Sequence, residues 1–253
     1  MTALQQWRAQ LAGWAIPPEI EALAQDPPWG FPPELFRAGP ESPDTPSRDV
    51  ALLALPDGGS VLDIGCGGGA ASLALAPPAA RITGVDNAAG MLESFTEAAR
   101  DRGVDAVPVT GTWPDAATDV EAADVVVCHH VLYNVADVPP FVTALTAKAK
   151  RRVVVELTAE HPLVTSRPLW QHFHGLDRPT GPTADLAVAV LAELGLSVEQ
   201  RRWSRPPRHV KRAAYVDLYR RRLCLPRGSE PQVDAALGPT DWPRDVVTLW
   251  WDV

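Results

Sequence analysis

Val61-Leu62-Asp63-Ile64-Gly65-Cys66-Gly67-Gly68-Gly69 decides how this chain is read. An apolar run carrying an acid at its end flows directly into a glycine-rich turn, the pattern of a buried strand that hands the chain to a ligand. Glycines at 65, 67 and 69 let the turn pass through positive φ and let bare backbone approach a bound molecule. A helix beginning near Gly69 would aim its free N–H groups at an anionic part of that molecule. Three consecutive glycines beside an acid speak against a mere tight turn.

Two nucleotide-type ligands fit the spacing. Gly65-x-Gly67-x-x-Ala70 matches the dinucleotide fingerprint, and Asp86 stands 21 residues beyond Gly65, where a ribose-binding acid belongs. Asp63 separates the readings, because a carboxylate beside the turn repels a pyrophosphate and attracts the ammonium and sulfonium of S-adenosylmethionine (SAM). The stretch resembles motif I of the class I SAM-dependent methyltransferases. An NAD(P)- or FAD-binding oxidoreductase is the rival reading.

Working outward, strands are expected near 60–64, 81–85, 104–109, 123–128 and 152–157, and helices near 69–76, 89–102 and 139–149. This alternation implies an α/β, Rossmann-like, mostly parallel sheet with helices on both faces. Leu196–Trp203 and Asp245–Val253 read as two more strands, making seven. In the resembled family the last strand lies antiparallel between the fifth and sixth. Thr183–Gly195 and His209–Leu223 read as helices, and Ser47 as the N-cap of a helix through Leu55. Leu4, Trp7, Leu11 and Trp14 share one side of a short N-terminal helix. Proline recurs between Pro17 and Pro46, with Trp29, Phe31 and Phe36 among them, so that segment is expected to be irregular. The expected organisation is an N-terminal helical and irregular cap, 1–46, on a domain spanning 47–253. Insertions fall at about 158–182, an aperiodic stretch with four prolines, and 205–240.

Composition bounds the class. Apolar residues make up 46% and charged residues 21% of 253, as in an ordinary globular protein. No apolar run reaches a bilayer-spanning length and the N-terminus lacks a signal-peptide pattern, so a cytoplasmic protein with no membrane partner is expected. Cys66, Cys128 and Cys224 form no metal-ligand spacing and read as reduced thiols, with no metal expected. Net charge is −8, yet 201–227 holds ten of the 23 basic residues and one acid, Asp217. Such a segment suits a solvated face or, less commonly, a nucleic-acid surface.

The cofactor set implied by the motif and the resemblance is Asp63, Gly65, Cys66, Gly67, Gly69, Asp86, Asn87, Met91, Gly111, Thr112, Trp113 and His129. Asp86 ends the second strand, where its carboxylate can accept from both ribose hydroxyls. Met91 lines the adenosine pocket or packs in the core. Thr112 stands where the family often has an acid for the adenine amino group, and Trp113 either stacks on the purine or fills the core. Ala123–Val135 resembles the family's fourth motif. His129, His130 and Tyr133 are its candidates for substrate contact or proton removal, since a hydroxyl acceptor loses its proton near the pH where histidine titrates. No Asp/Asn-Pro-Pro-Tyr/Phe stands there, which disfavours adenine N6 and glutamine amides as acceptors. Tyr133, His161, Trp170, His172 and His174 are the substrate-side candidates, and Tyr215 with Tyr219 a stacking platform or a packed helix face. The expectation is a methyltransferase that uses SAM, releases S-adenosylhomocysteine (SAH) and acts on a small molecule. An RNA methyltransferase using 201–227 and a SAM-binding module without transfer are the alternatives. The sequence leaves the oligomeric state open.

Overall fold

The computed structural model describes residues 1–29, 44–207 and 211–253. Phe31, Phe36 and His209, singled out above, lie outside the described residues.

Seven strands form one sheet: β1 (Ser60–Ile64), β2 (Arg81–Asp86), β3 (Asp105–Thr110), β4 (Ala123–His129), β5 (Ala149–Thr158), β6 (Glu199–Arg205) and β7 (Arg244–Asp252). Their order is β3-β2-β1-β4-β5-β7-β6. The first five are mutually parallel, and β7 runs antiparallel between β5 and β6. The order reverses between β1 and β4, and at such a switch point the carboxyl ends of the strands open a crevice for ligands.

Strand residues alternate between the two faces, as a period of two demands. Leu62, Ile64, Val126, Cys128, Val153 and Val155 join one core with Trp7, Phe141, Leu145 and Leu191. These last four come from α1 (Ala3–Ala12), α5 (Val138–Lys148) and α7 (Ala184–Glu193). Val61, Ile82, Val125, Val127 and Val154 join the other with Val50, Ala51, Leu92 and Phe95. Those belong to α3 (Pro46–Ala54) and α4 (Ala89–Asp101). At about 25 cal/mol per Å² of apolar area, each large side chain fully buried here contributes about 1.5–3 kcal/mol.

The N-terminal helix is docked. Trp7 is buried in the main core, its Nε1 donates to the Val135 carbonyl at 2.8 Å, and Glu193 accepts from the Ala3 and Leu4 amides at the helix start. A third core joins Ile16 and Ile20, Leu169 and Trp170, and Tyr215, Tyr219 and Val233. Its helices are α2 (Pro18–Glu21), α6 (Arg167–His174), α8 (Arg212–Arg222) and α9 (Glu230–Ala236). Arg178 binds this layer to the N-terminal segment. Its guanidinium lies over the Trp14 and Trp170 rings at 5.5 and 4.5 Å and donates to the Trp14 and Ala15 carbonyls.

Several expectations need correction. Residues 69–76 form turns and a single 3-10 stretch, Leu73–Leu75, in place of a helix. Pro77 and Pro78 follow at once, so too few residues remain for a stable α-helix. The 158–182 stretch contains α6, which Pro168 starts from its first turn and Gly175 ends at φ +65°. The cap of α3 is Thr45, with Pro46 beginning the helix, and Ser47 turns inward. No helix among the described residues is long and apolar enough to cross a membrane.

Candidate active site

The glycine loop closes the carboxyl end of β1. Gly65, Gly67 and Gly69 have φ of +68°, +51° and +79°, values that the tripled glycine permits and other residues resist. A Cβ at Gly65 would lie 2.4 Å from Val131 Cγ2, so the loop also needs glycine to pass the turn after β4. Asp86 braces the loop from β2, one carboxylate oxygen accepting from the Gly67 amide and the other from the Ala88 amide, both at 2.9 Å. The Cys66 thiol is buried, and burial with Asp63 and Asp86 nearby pushes its pKa far up, so it is inert filling. Asn87, Thr112 and Gly90 are exposed around the same edge, and Met91 and Gly111 are half-buried.

Asp63 is 1% exposed and its carboxylate accepts from Ser72 Oγ at 2.6 Å. No cation pairs with it among the described residues. Burial pushes its pKa up to about 7, with the Ser72 hydrogen bonds opposing and Asp86 adding to the shift. The full negative charge expected at residue 63 is therefore a partial one in the ligand-free protein. Trp113 fills the core: it is buried, and its Nε1 donates to the Phe141 carbonyl at 3.1 Å. That placement answers to its packing role and leaves the purine-stacking role without geometric support.

At the ends of β4 and β5 lies a second polar group, centred on a residue that the sequence reading missed. Glu156 is 1% exposed. It accepts from Ser47 Oγ at 2.6 Å, from Arg205 Nη2, and stands 2.9 Å from His130 Nε2 and 4.0 Å from His129 Nδ1. Burial alone would raise its pKa, but the His130 hydrogen bond and the Arg205 guanidinium outweigh burial and hold the carboxyl well below the usual range. Its signal in the sequence was a lone acid at the end of the apolar run Val153-Val154-Val155, the same pattern as Asp63. Ser47 also shares a hydrogen bond of 2.6 Å with Thr248, which takes the Trp203 indole N–H at 3.1 Å.

The adjacent histidines diverge as expected. His129 continues the strand beside Glu156 in register, and burial lowers its pKa to about 4 against the pull of Glu156. That shift makes it a weak base, and its Nε2 is buried with no hydrogen-bond partner among the described residues. His130 turns out of the strand at φ +60°, its side chain 32% exposed, with Nδ1 2.7 Å from the Tyr133 hydroxyl. Tyr133 is buried and its pKa is pushed up mainly by that burial. His161 meets the Tyr133 ring edge-on at 5.7 Å and stacks on Trp14 at 4.9 Å, and burial lowers its pKa to about 4.

The remaining substrate-side candidates lie on α6. Trp170 is buried in the third core, His174 bonds the Leu223 carbonyl at 2.8 Å, and His172 is exposed. Their helix packs against the 212–236 helices, and Arg178, over both the Trp170 and Trp14 rings, links it to Trp14, which stacks on His161. Tyr215 and Tyr219 are packed in the same core, not displayed as a platform. The basic run is largely neutralised. Of its ten cations, Arg202, Arg205, Arg212, Arg220, Arg221 and Arg227 pair with Asp185, Glu156, Asp234, Asp26, Asp217 and Glu230.

Residues 62–153 match the family model described as a methyltransferase domain. A search of curated proteins found no match. Among solved structures, YcgJ from Bacillus subtilis is 17% identical, with 81% of this chain and 97% of that one covered at a TM-score of 0.57. A methyltransferase-like protein from Bacillus halodurans, so described without an assigned substrate, is 14% identical, with 81% and 96% covered at 0.54. The precorrin 8w decarboxylase from Methanobacterium thermoautotrophicum is 16% identical, with 88% and 100% covered at 0.51. Identities this low show the shared fold. The methyltransferase-domain match over residues 62–153 and the strand order agree with a Rossmann-like methyltransferase fold.

Proposed function

We propose that the protein is an enzyme that binds SAM across the Gly65–Gly69 loop and methylates a small molecule. The observation that carries this reading is the Asp86 carboxylate locking the Gly67 amide of a loop whose three glycines all have positive φ. That arrangement supports a ribose-facing acid beside bare backbone. Asp63 fits the cationic group of SAM, because a buried carboxyl with a pKa near 7 and no resident cation gains its charge when a cation arrives. SAM supplies an electrophilic methyl, and its loss leaves the neutral thioether SAH. Within the cofactor set, Gly65, Gly67, Gly69, Asp86, Asn87, Met91, Gly111 and Thr112 ring the proposed pocket.

A small acceptor is supported by two features. His161 of the 158–182 insertion meets the Tyr133 ring and stacks on Trp14 of the N-terminal segment, which suits an enclosed pocket beside Tyr133. The internal pairing of the 201–227 cations withdraws the charge that an RNA backbone would need. The precorrin enzyme among the structural neighbours is named for a small-molecule substrate. Soluble, cytoplasmic operation with reduced cysteines is part of this reading.

The test is to incubate the protein with methyl-labelled SAM and a cell extract divided into small-molecule, nucleic-acid and protein fractions. Label in the small-molecule fraction is expected. Label confined to RNA would move the acceptor to the alternative reading, and label that never leaves SAM would favour a binding module. In calorimetry, Asp86→Ala is expected to abolish SAM binding, and near-wild-type affinity would discredit the pocket.

A further inference from the structure

Resting on the cofactor reading above, we propose that Tyr133, His130 and Glu156 form a proton relay. In it the Tyr133 hydroxyl meets the acceptor and His130 receives the proton. Glu156 is the positioning residue that orients the imidazole and stabilises its charged form.

The geometry restricts what His130 can do. Its Nδ1 is 2.7 Å from the Tyr133 oxygen, and its Nε2 is 2.9 Å from Glu156 Oε1 and 3.0 Å from Arg205 Nη1. A neutral imidazole has one N–H and one bare nitrogen, so two arrangements are available. In one, Nε2–H donates to Glu156 and Tyr133 donates to Nδ1. In the other, Arg205 donates to a bare Nε2 and Nδ1–H donates to Tyr133. Thr158 meets the Tyr133 oxygen through both its side chain and its backbone, and in the relay the phenolic proton faces Nδ1. Arg205 Nη2 already donates to the Glu156 oxygen that His130 approaches. The Glu156 contact belongs to the first arrangement and the Arg205 contact, whose guanidinium only donates, to the second; the relay uses the first.

With both nitrogens engaged, a proton reaches His130 through Tyr133. The acceptor's O–H proton passes to the Tyr133 oxygen as the proton of Tyr133 passes to His130 Nδ1. The acceptor oxygen keeps the electron pair, and the imidazolium later returns its proton to water. Glu156 stabilises that imidazolium across 2.9 Å, as a carboxylate behind a histidine does in hydrolytic triads. Arg205 on β6 sets its guanidinium 3.0 Å from the same nitrogen, Nε2, a like charge to any imidazolium there. His129 on β4 stands neutral beside Glu156, and His161 touches Tyr133 from the insertion as a second neutral ring. Ser47 on α3 holds the far oxygen of Glu156, which keeps the carboxylate from rotating. A protonated oxygen acid, a phenol or an alcohol, is the acceptor class that needs such a relay, whereas a neutral amine or a thiolate does not.

The test needs no acceptor. Full-length protein carrying ¹⁵N-histidine, with SAH present, is titrated between pH 5 and 9 by long-range ¹H–¹⁵N NMR, with His130 assigned from H130Q. The neutral imidazole is expected as the Nε2–H tautomer. Its pKa is expected to fall by about one unit or more in E156Q, a tenfold change in the protonation equilibrium, and to rise in R205M. An Nδ1–H tautomer or a tautomer mixture in the wild type overturns the relay, as does an unmoved pKa in E156Q. Should E156Q not fold, the wild-type tautomer and the R205M shift decide alone. Calorimetry of SAH with the same wild-type sample reports the cofactor reading separately: absent binding sinks that reading, and a wrong tautomer with intact binding sinks only the relay.

Discussion

Two carboxylates lie under the same face of the sheet, each 1% exposed, and they have opposite fates. Asp63 on β1 meets one hydroxyl and, among the described residues, no cation, and burial lifts its pKa to about 7. Glu156 on β5 meets Arg205, two histidines and Ser47, and is held strongly acidic. Burial is common to both, so the difference lies in the partners supplied by the fold. A buried acid that brings its own counter-charge is finished machinery, and on the proposed function one that lacks it is where a cationic ligand completes the charge balance.

The largest expected effect comes from breaking the finished member. Glu156→Ala leaves the Arg205 guanidinium and two histidines facing a void, and a loss of about 3–5 kcal/mol of stability is expected in chemical denaturation, the usual cost of stripping one partner from a buried pair. A loss below about 1 kcal/mol would mean that the group is solvated and the comparison false.

The unfinished member should behave in reverse. Asp63→Asn keeps the size and a hydrogen bond to Ser72 but cannot become charged, so SAM affinity is expected to fall at least tenfold in calorimetry. Stability has the opposite sign. The folded pKa of Asp63 lies above its unfolded value of 3.8. Between those values the folded state holds the extra proton, so the contribution of this group is full below 3.8 and is lost as pH rises through about 7. The Asn variant is therefore expected to melt no lower than wild type at pH 8, and a sharp drop in its melting temperature would show that the Asp63 charge is structural. Glu156, with its pKa depressed, contributes stability that persists above the ordinary carboxylate range and fades only in strong acid.

The smallest effect sits on the surface. Arg202→Ala removes an exposed pair with Asp185, and a change of about 0–1 kcal/mol in stability is expected. A larger loss would show that the basic run is a structural network beyond its partly buried pairs around Arg220.

This contrast also marks what the sequence made legible. The strand ranges from β1 to β5 were readable because apolar runs punctuated by Gly, Pro and Asp are local signals, as at Val61–Ile64 and Val125–Cys128. The loop glycines were readable because positive φ leaves a residue-type signature. The helix expected after Gly69 was not realised, because two prolines at 77 and 78 outweighed a family habit. Ser47 was misread as a cap because its partner, Glu156, is 109 residues away. Glu156 itself was hidden for the same reason: a lone acid at a strand end acquires meaning only once the fold brings Ser47, His130 and Arg205 to it. His172 and His174 were grouped with the site by proximity in sequence; on α6 His172 is exposed and His174 bonds the Leu223 carbonyl, a contact that sequence spacing does not reveal.

The most direct test of the cofactor pocket is calorimetric titration of SAM into the wild-type protein from pH 5.5 to 8.5. Affinity is expected to climb with pH through about 7, levelling above it, as Asp63 gives up its proton to receive the sulfonium compound. A pH-independent affinity unchanged by Asp63→Asn, or binding of a nicotinamide dinucleotide in preference to SAM, would contradict the account.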